Sequence, residues 1–191
     1  YNVDGVLHKA TGCRGSFILE TEVGELPKLN FTFTGIYIPP IDVALPAITY
    51  GQQSTPLIVK NGNTSGFQLL SYSGSLQALM IDAGIETQYM ELVGGTKEVH
   101  LINRATSGTV TLEAVKVATK DYFAAALLDT SLGNLTLTHG TVAGNIVQFS
   151  SSNIDIGDVS YTETNSIVMA EIPFTAVPST SGNDEFSLIY R

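Results

Sequence analysis

The sequence has one cysteine, Cys13, in 191 residues, and no tryptophan. A single cysteine excludes an intrachain disulfide framework and supplies no cysteine-rich metal site. Charge is scarce as well: 14% of residues are charged, nine Lys+Arg against eighteen Asp+Glu, for a formal net charge of -9. A chain this acidic cannot hold a phosphate backbone by charge neutralisation, which argues against sequence-specific nucleic-acid binding. No uninterrupted apolar run reaches the roughly 18 residues of a membrane-spanning helix, so no membrane segment is expected. No basic-then-apolar start resembles a signal peptide. The first residue is Tyr1, not Met, so an upstream portion is expected.

The motifs of catalysis are missing too. There is no Gly-x-Ser-x-Gly elbow, no His-Glu-x-x-His, no phosphate-binding glycine loop and no cysteine flanked as a nucleophile. His8 and Cys13 lie five residues apart, with His100 and His139 far from both, which is not the paired spacing of a structural zinc. Asp155-Ile156-Gly157-Asp158 lacks the third acid and terminal Glu of a calcium loop and reads as a turn. Glu20 and Glu22 share one strand face, an arrangement that suits a solvated face. Neither an enzyme nor a cofactor or metal site is expected.

What is present suits a β-protein. Hydrophobic residues make up 43% of the chain, enough for a core, and Gly, Ser, Thr and Asn are abundant. Ser16 to Thr21 and Lys28 to Tyr37 read as a hairpin joined through Gly24 and Pro27, with Phe31 and Phe33 alternating against Thr32 and Thr34 as in a sheet buried on one side. Asp4-Gly5 marks a turn between Tyr1–Val3 and Val6–Lys9. Three prolines, Pro39, Pro40 and Pro46, open a long polar loop over residues 39–66, around a short strand at Pro56–Lys60. Loops of this length in a compact domain are usually functional or disordered. Its residues Pro39, Pro40, Asp42, Pro46, Tyr50, Gln52, Asn61 and Asn63 are candidates for contact with a neighbouring subunit.

Further strands are expected at Phe67–Tyr72, Leu76–Ile81, Ile85–Leu92, Lys97–Arg104 and Thr109–Val117. One helix then fits about 119–128: Thr119 as N-cap, Asp121 in the first turn, and Tyr122, Phe123, Ala126 and Leu127 at helical spacing. The rest returns to strands. With a constant offset of 118, Leu19 meets Leu137, Phe31 meets Phe149, Ile36 meets Ile154 and Ile38 meets Ile156. Chance matching of alternating strands and an internal duplication both remain open. Under duplication, residues 1–95 complete a first β unit and 96–191 form a second.

From Asp121 to the end stand eight acids and one base, Arg191. Such a surface serves solubility, or lets a polyanion pass without binding it. Glu20, Glu22, Asp155, Asp158 and Glu163 are the candidates for that passing surface.

Several segments carry a resemblance: Asn2-Val3-Asp4-Gly5-Val6-Leu7-His8-Lys9, Gly12-Cys13-Arg14-Gly15-Ser16-Phe17, Gly24-Glu25-Leu26-Pro27, Phe31-Thr32-Phe33-Thr34-Gly35-Ile36-Tyr37 and Gly182-Asn183-Asp184-Glu185-Phe186. Over nearly the whole chain they resemble the tail tube proteins of long-tailed bacteriophages. The resemblance implies a mainly β fold, a β-sandwich or half-barrel tube unit with one short flanking helix. It implies a structural virion protein, assembled in the host cytoplasm, whose rings of three or six chains stack into a conduit for double-stranded DNA. Its partners would be copies of itself and other tail proteins at the tube ends. It also implies a segment before the Asn-Val-Asp-Gly motif. The rival expectation is a virion-surface or extracellular β-sandwich that binds carbohydrate on Tyr37, Tyr50, Tyr72 or Tyr89, a reading weakened by the absence of Trp.

Overall fold

The computed structural model describes residues 1–49, 51, 55–128 and 132–191. In chain order the elements are β1 (Asn2–Val3), β2 (Val6–Glu22), β3 (Lys28–Asp42), β4 (Thr64–Leu69), β5 (Leu76–Asp82), β6 (Ile85–Glu91), β7 (Lys97–Arg104), β8 (Ser107–Glu113), α1 (Tyr122–Ala126), β9 (Gly133–His139), β10 (Val147–Ile156), β11 (Ser160–Thr164), β12 (Ile167–Ala176) and β13 (Ser187–Tyr190). The fold is mainly β, a curled half-barrel sheet with one short helix. Its main path runs β3-β2-β5-β8-β12-β10-β9-β4, with β1 beside the start of β2, β11 on β12 and β13 on β10. β6 and β7 form a separate two-stranded sheet.

The curl brings the two arms of the sheet face to face around one core. Alternate residues point inward: Leu79 and Ile81 from β5, Val110 and Leu112 from β8, Ala170, Ile172, Phe174 and Ala176 from β12, Leu135 and Leu137 from β9, Phe149 and Ile154 from β10. Each Val, Leu, Ile or Phe among them, wholly removed from water, stabilises the fold by roughly 1.5–3 kcal/mol. The core draws on both sides of residue 95, and that position falls in the turn between β6 and β7. The two hairpins aligned by the offset of 118 differ in pairing: Leu19 lies opposite Leu29, whereas Leu137 lies opposite Phe149.

The opening hairpin is longer than the sequence suggests. β2 and β3 pair from Glu20–Lys28 out to Val6–Asp42, so Pro39, Pro40 and Asp42 belong to a strand and not to a loop. The prolines are tolerated because His8 spends its backbone N–H and C=O on Tyr1, on the β1 side. It therefore asks no hydrogen bond of Pro39 or Pro40, which sit across from it in a β-bulge on an edge strand. The Asp4-Gly5 turn is present, with both residues at positive φ (48° and 88°) and Val3 opposite Val6.

Past β3, Pro46 is exposed, while Tyr50 and Gln52 lie outside the described residues. Pro56–Lys60 is not a strand, but it is fixed. Val59 is buried and exchanges backbone hydrogen bonds with Gly24 and Glu25 of the β2–β3 turn, both 2.8 Å. Asn63 bonds Ile58 O and receives Gly140 N–H. Buried His139 completes the anchor. Its Nε2 lies 3.0 Å from Leu57 O, which can only accept, so Nε2 carries a proton, and Nδ1 is hydrogen-bonded to the Thr64 hydroxyl at 2.9 Å.

The helix is shorter than expected, five residues against nine. Its N-cap is Asp121, not Thr119: the Asp121 carboxylate accepts from Ala124 N at 2.8 Å, and the residues before it turn instead of coiling. Buried Tyr122 packs edge-on against Tyr72, ring centroids 6.5 Å apart.

Candidate functional site

The face of the sheet turned away from the core is built by register. One row crosses five strands as Asp82, Ser107, Thr175 and Asp155 beside Ile18. A second holds Glu20, Met80, Thr109 and Pro173, and a third Glu22, Ala78, Thr111, Glu171 and Ser160. Glu113 extends the pattern at the end of β8. The face thus presents carboxylates interleaved with hydroxyls. A trough of about 510 Å3 lies on it, lined in part by Glu20, Glu22, Glu25 and Glu171.

Bases are few on this surface, where among the described residues Lys28 is the one base that lines the trough. Strands β5, β8, β10, β11 and β12 contain no Lys or Arg. Lys28 of β3 stands opposite Glu20 and points to Glu25 at 3.9 Å. Glu20 also accepts from Asn30 Nδ2 at 2.9 Å. At one end the β6–β7 hairpin caps the face: Ile85 N donates to Ser16 Oγ (3.1 Å), Thr87 Oγ1 to Thr34 Oγ1 (3.3 Å) and Arg14 Nε to Val99 O (2.9 Å). Arg14, at this end of the face, is exposed and is tied to the hairpin by that bond.

Of the acids expected to act together, Glu20, Glu22 and Asp155 share this face. Glu163 does not. It stands opposite Val168 on the β11–β12 pair, in the register of Tyr161 and Ala170, and Ala170 belongs to the core side. Asp158 is exposed in the connection after β10. Sequence reasoning missed Asp82, Glu113 and Glu171. Each is an acid at an odd step from apolar neighbours in a strand, so strict period-2 bookkeeping would have found them.

The second feature is an unfinished edge. Among the described residues no strand pairs with the outer side of β3. The core-side row of β2 and β3 runs Leu19–Leu29, Phe17–Phe31, Gly15–Phe33. Phe17 is held by Phe186, which stacks on Phe149. Beyond it the covering layer stops: Phe31 and Phe33 stack on each other at 5.8 Å yet are 57% and 65% exposed. Gly15 is required here, because a Cβ would fall 1.9 Å from Thr32 O.

The segment Gly182–Phe186 is a clamp. Arg104 reaches across from β7, its Nε 3.2 Å from Glu185 Oε1 and its Nη2 bonded to Glu185 Oε2 and Asn183 Oδ1. Glu185 is buried, and its backbone carbonyl accepts from Ser151 Oγ. The Arg104 hydrogen bonds hold the Glu185 carboxyl below the ordinary carboxylate range.

The tyrosines of the carbohydrate reading are dispersed. Tyr37 is exposed on β3, Tyr89 on β6 donates to Glu91 at 2.8 Å, Tyr72 packs on Tyr122, and Tyr50 lies outside the described residues. Among the described residues no group of three or more His, Cys, Asp and Glu is placed to hold a metal ion. No helix there is long and apolar enough to cross a membrane. No protein-family model matches the chain, and no curated protein matches it.

Proposed function

We propose that this chain is a wall subunit of a stacked-ring tube of the long-tailed bacteriophage kind, a structural virion protein that conducts double-stranded DNA without holding it. The observation that carries this reading is the acid-and-hydroxyl face, five strands wide and served by strands almost free of bases. Turned inward, it keeps phosphates hydrated and unattached, and a passing duplex meets many more carboxylates than cations, Lys28 lying beside Glu25 and Arg14 at the hairpin end. Free edges supply the lateral joints, as an unpaired strand is a template for another chain. In this reading each chain, whose main core draws on both halves, is one wall unit, and six-fold rings are favoured over three-fold ones.

The charge pattern is testable directly. Wild-type protein should leave labelled duplex DNA unbound at about 50 mM salt, a concentration at which phosphate contacts are strong. The triple variant Glu20→Lys, Glu22→Lys, Glu171→Lys should retain DNA, with retention falling steeply as salt rises. Glu163→Lys, on the opposite face, should not. Fluorescence anisotropy on assembled and unassembled protein reads all three, and DNA retention by wild type, or none by the triple variant, would sink the idea.

A further inference from the structure

Between the two arms of the sheet, where the β2–β3 hairpin faces β9, β10 and β13, lies a separate cavity of about 180 Å3. Its deep wall is Leu19, Leu137 and Phe149, all buried, and its sides are the half-buried Leu29 and Val147. Of the polar groups that reach it, Thr21 and His139 are already engaged. Thr21 Oγ1 donates to Leu79 O at 3.1 Å, and both nitrogens of His139 are bonded, to Leu57 O and Thr64 Oγ1. Lys28 and the exposed Tyr190 stand at the mouth.

Water against the deep wall of this partly open space finds too few protein partners to be held there, since a bound water needs two to four. An apolar cavity of about 150 Å3 in another protein stays dry and takes up benzene. We propose that this cavity binds a neutral aromatic molecule of about one ring, seated on Leu19, Leu137 and Phe149, with any hydroxyl it carries directed to the mouth at Tyr190. A cationic ligand is disfavoured, because Lys28 stands at the mouth and the deep wall offers its charge no partner. The inference does not depend on the tube reading.

Benzene titrated into the full, unassembled chain, followed by methyl NMR, tests it. Saturable shifts are expected at the methyls of Leu19, Leu29, Leu137 and Val147, and benzylammonium should bind at least tenfold more weakly than benzyl alcohol. Filling the cavity with Val147→Phe or Leu29→Phe, each at a half-buried wall position, should weaken benzene binding at least tenfold. Absence of saturable shifts at these methyls in the wild type overturns the proposal. So does undiminished binding in a filled variant whose far-UV circular dichroism matches wild type.

Discussion

Phe31→Asp combined with Phe33→Asp should leave a folded chain that no longer associates with itself. Both rings lie on the core side of the sheet but beyond its covering layer, more than half exposed, so the monomer gives up little apart from the contacts of Phe31 with Phe17 and of the two rings with each other. That loss is on the order of 1 kcal/mol. A neighbour covering them would gain roughly 1 kcal/mol from each ring by area, and each of the two carboxylates put in their place adds a desolvation cost of at least about 1 kcal/mol. Association should weaken by about 4 kcal/mol per contact, on the order of a thousandfold. Sedimentation velocity reads the assembly and thermal unfolding reads the fold. Normal assembly by the double variant would mean that this row is not a joint.

Arg104→Ala should destabilise the fold by roughly 1–3 kcal/mol, because it strips a buried carboxylate of its charged partner while Arg104 itself is only about one-third exposed. The effect should depend on pH. Glu185 is held below its ordinary range, so its ionised form is favoured in the fold. The stabilisation is complete above the unfolded carboxyl value of about 4.3 and disappears as pH falls through the lower folded value. Urea unfolding should therefore show wild type and variant separated at about pH 7 and converging below about pH 4. A separation constant from pH 7 to pH 3 would assign the loss to packing of the Arg104 stem instead.

Much of the fold is legible from residue types. Asp4-Gly5 can only be a tight turn, and alternation in β8 and β12 states which side chains enter the core. The reach of β3 is not legible. Prolines 39 and 40 argue for a loop until the partner of His8 is known, and that partner, Tyr1, is a matter of tertiary pairing. The helix shrank because Asp121 competes for the cap that Thr119 was assigned.

The acidic face was legible in part. Glu20 and Glu22 declare their shared side by spacing, but only the register from β2 to β10 sets them beside Asp155, and the separate pairing of β11 turns Glu163 away. The exposure of Phe31 and Phe33 leaves no trace in the sequence, where they read as core. Asn183 and Glu185 give no local sign of their partner, since Arg104 lies about eighty residues earlier.

The tube reading meets its most direct test in negative-stain electron microscopy of the purified chain, with rotational averaging of end-on views. Hollow tubes of uniform diameter, built from six-fold rings with an open lumen, are the expected image. Monomers or featureless aggregates at every concentration that yields folded protein would contradict it.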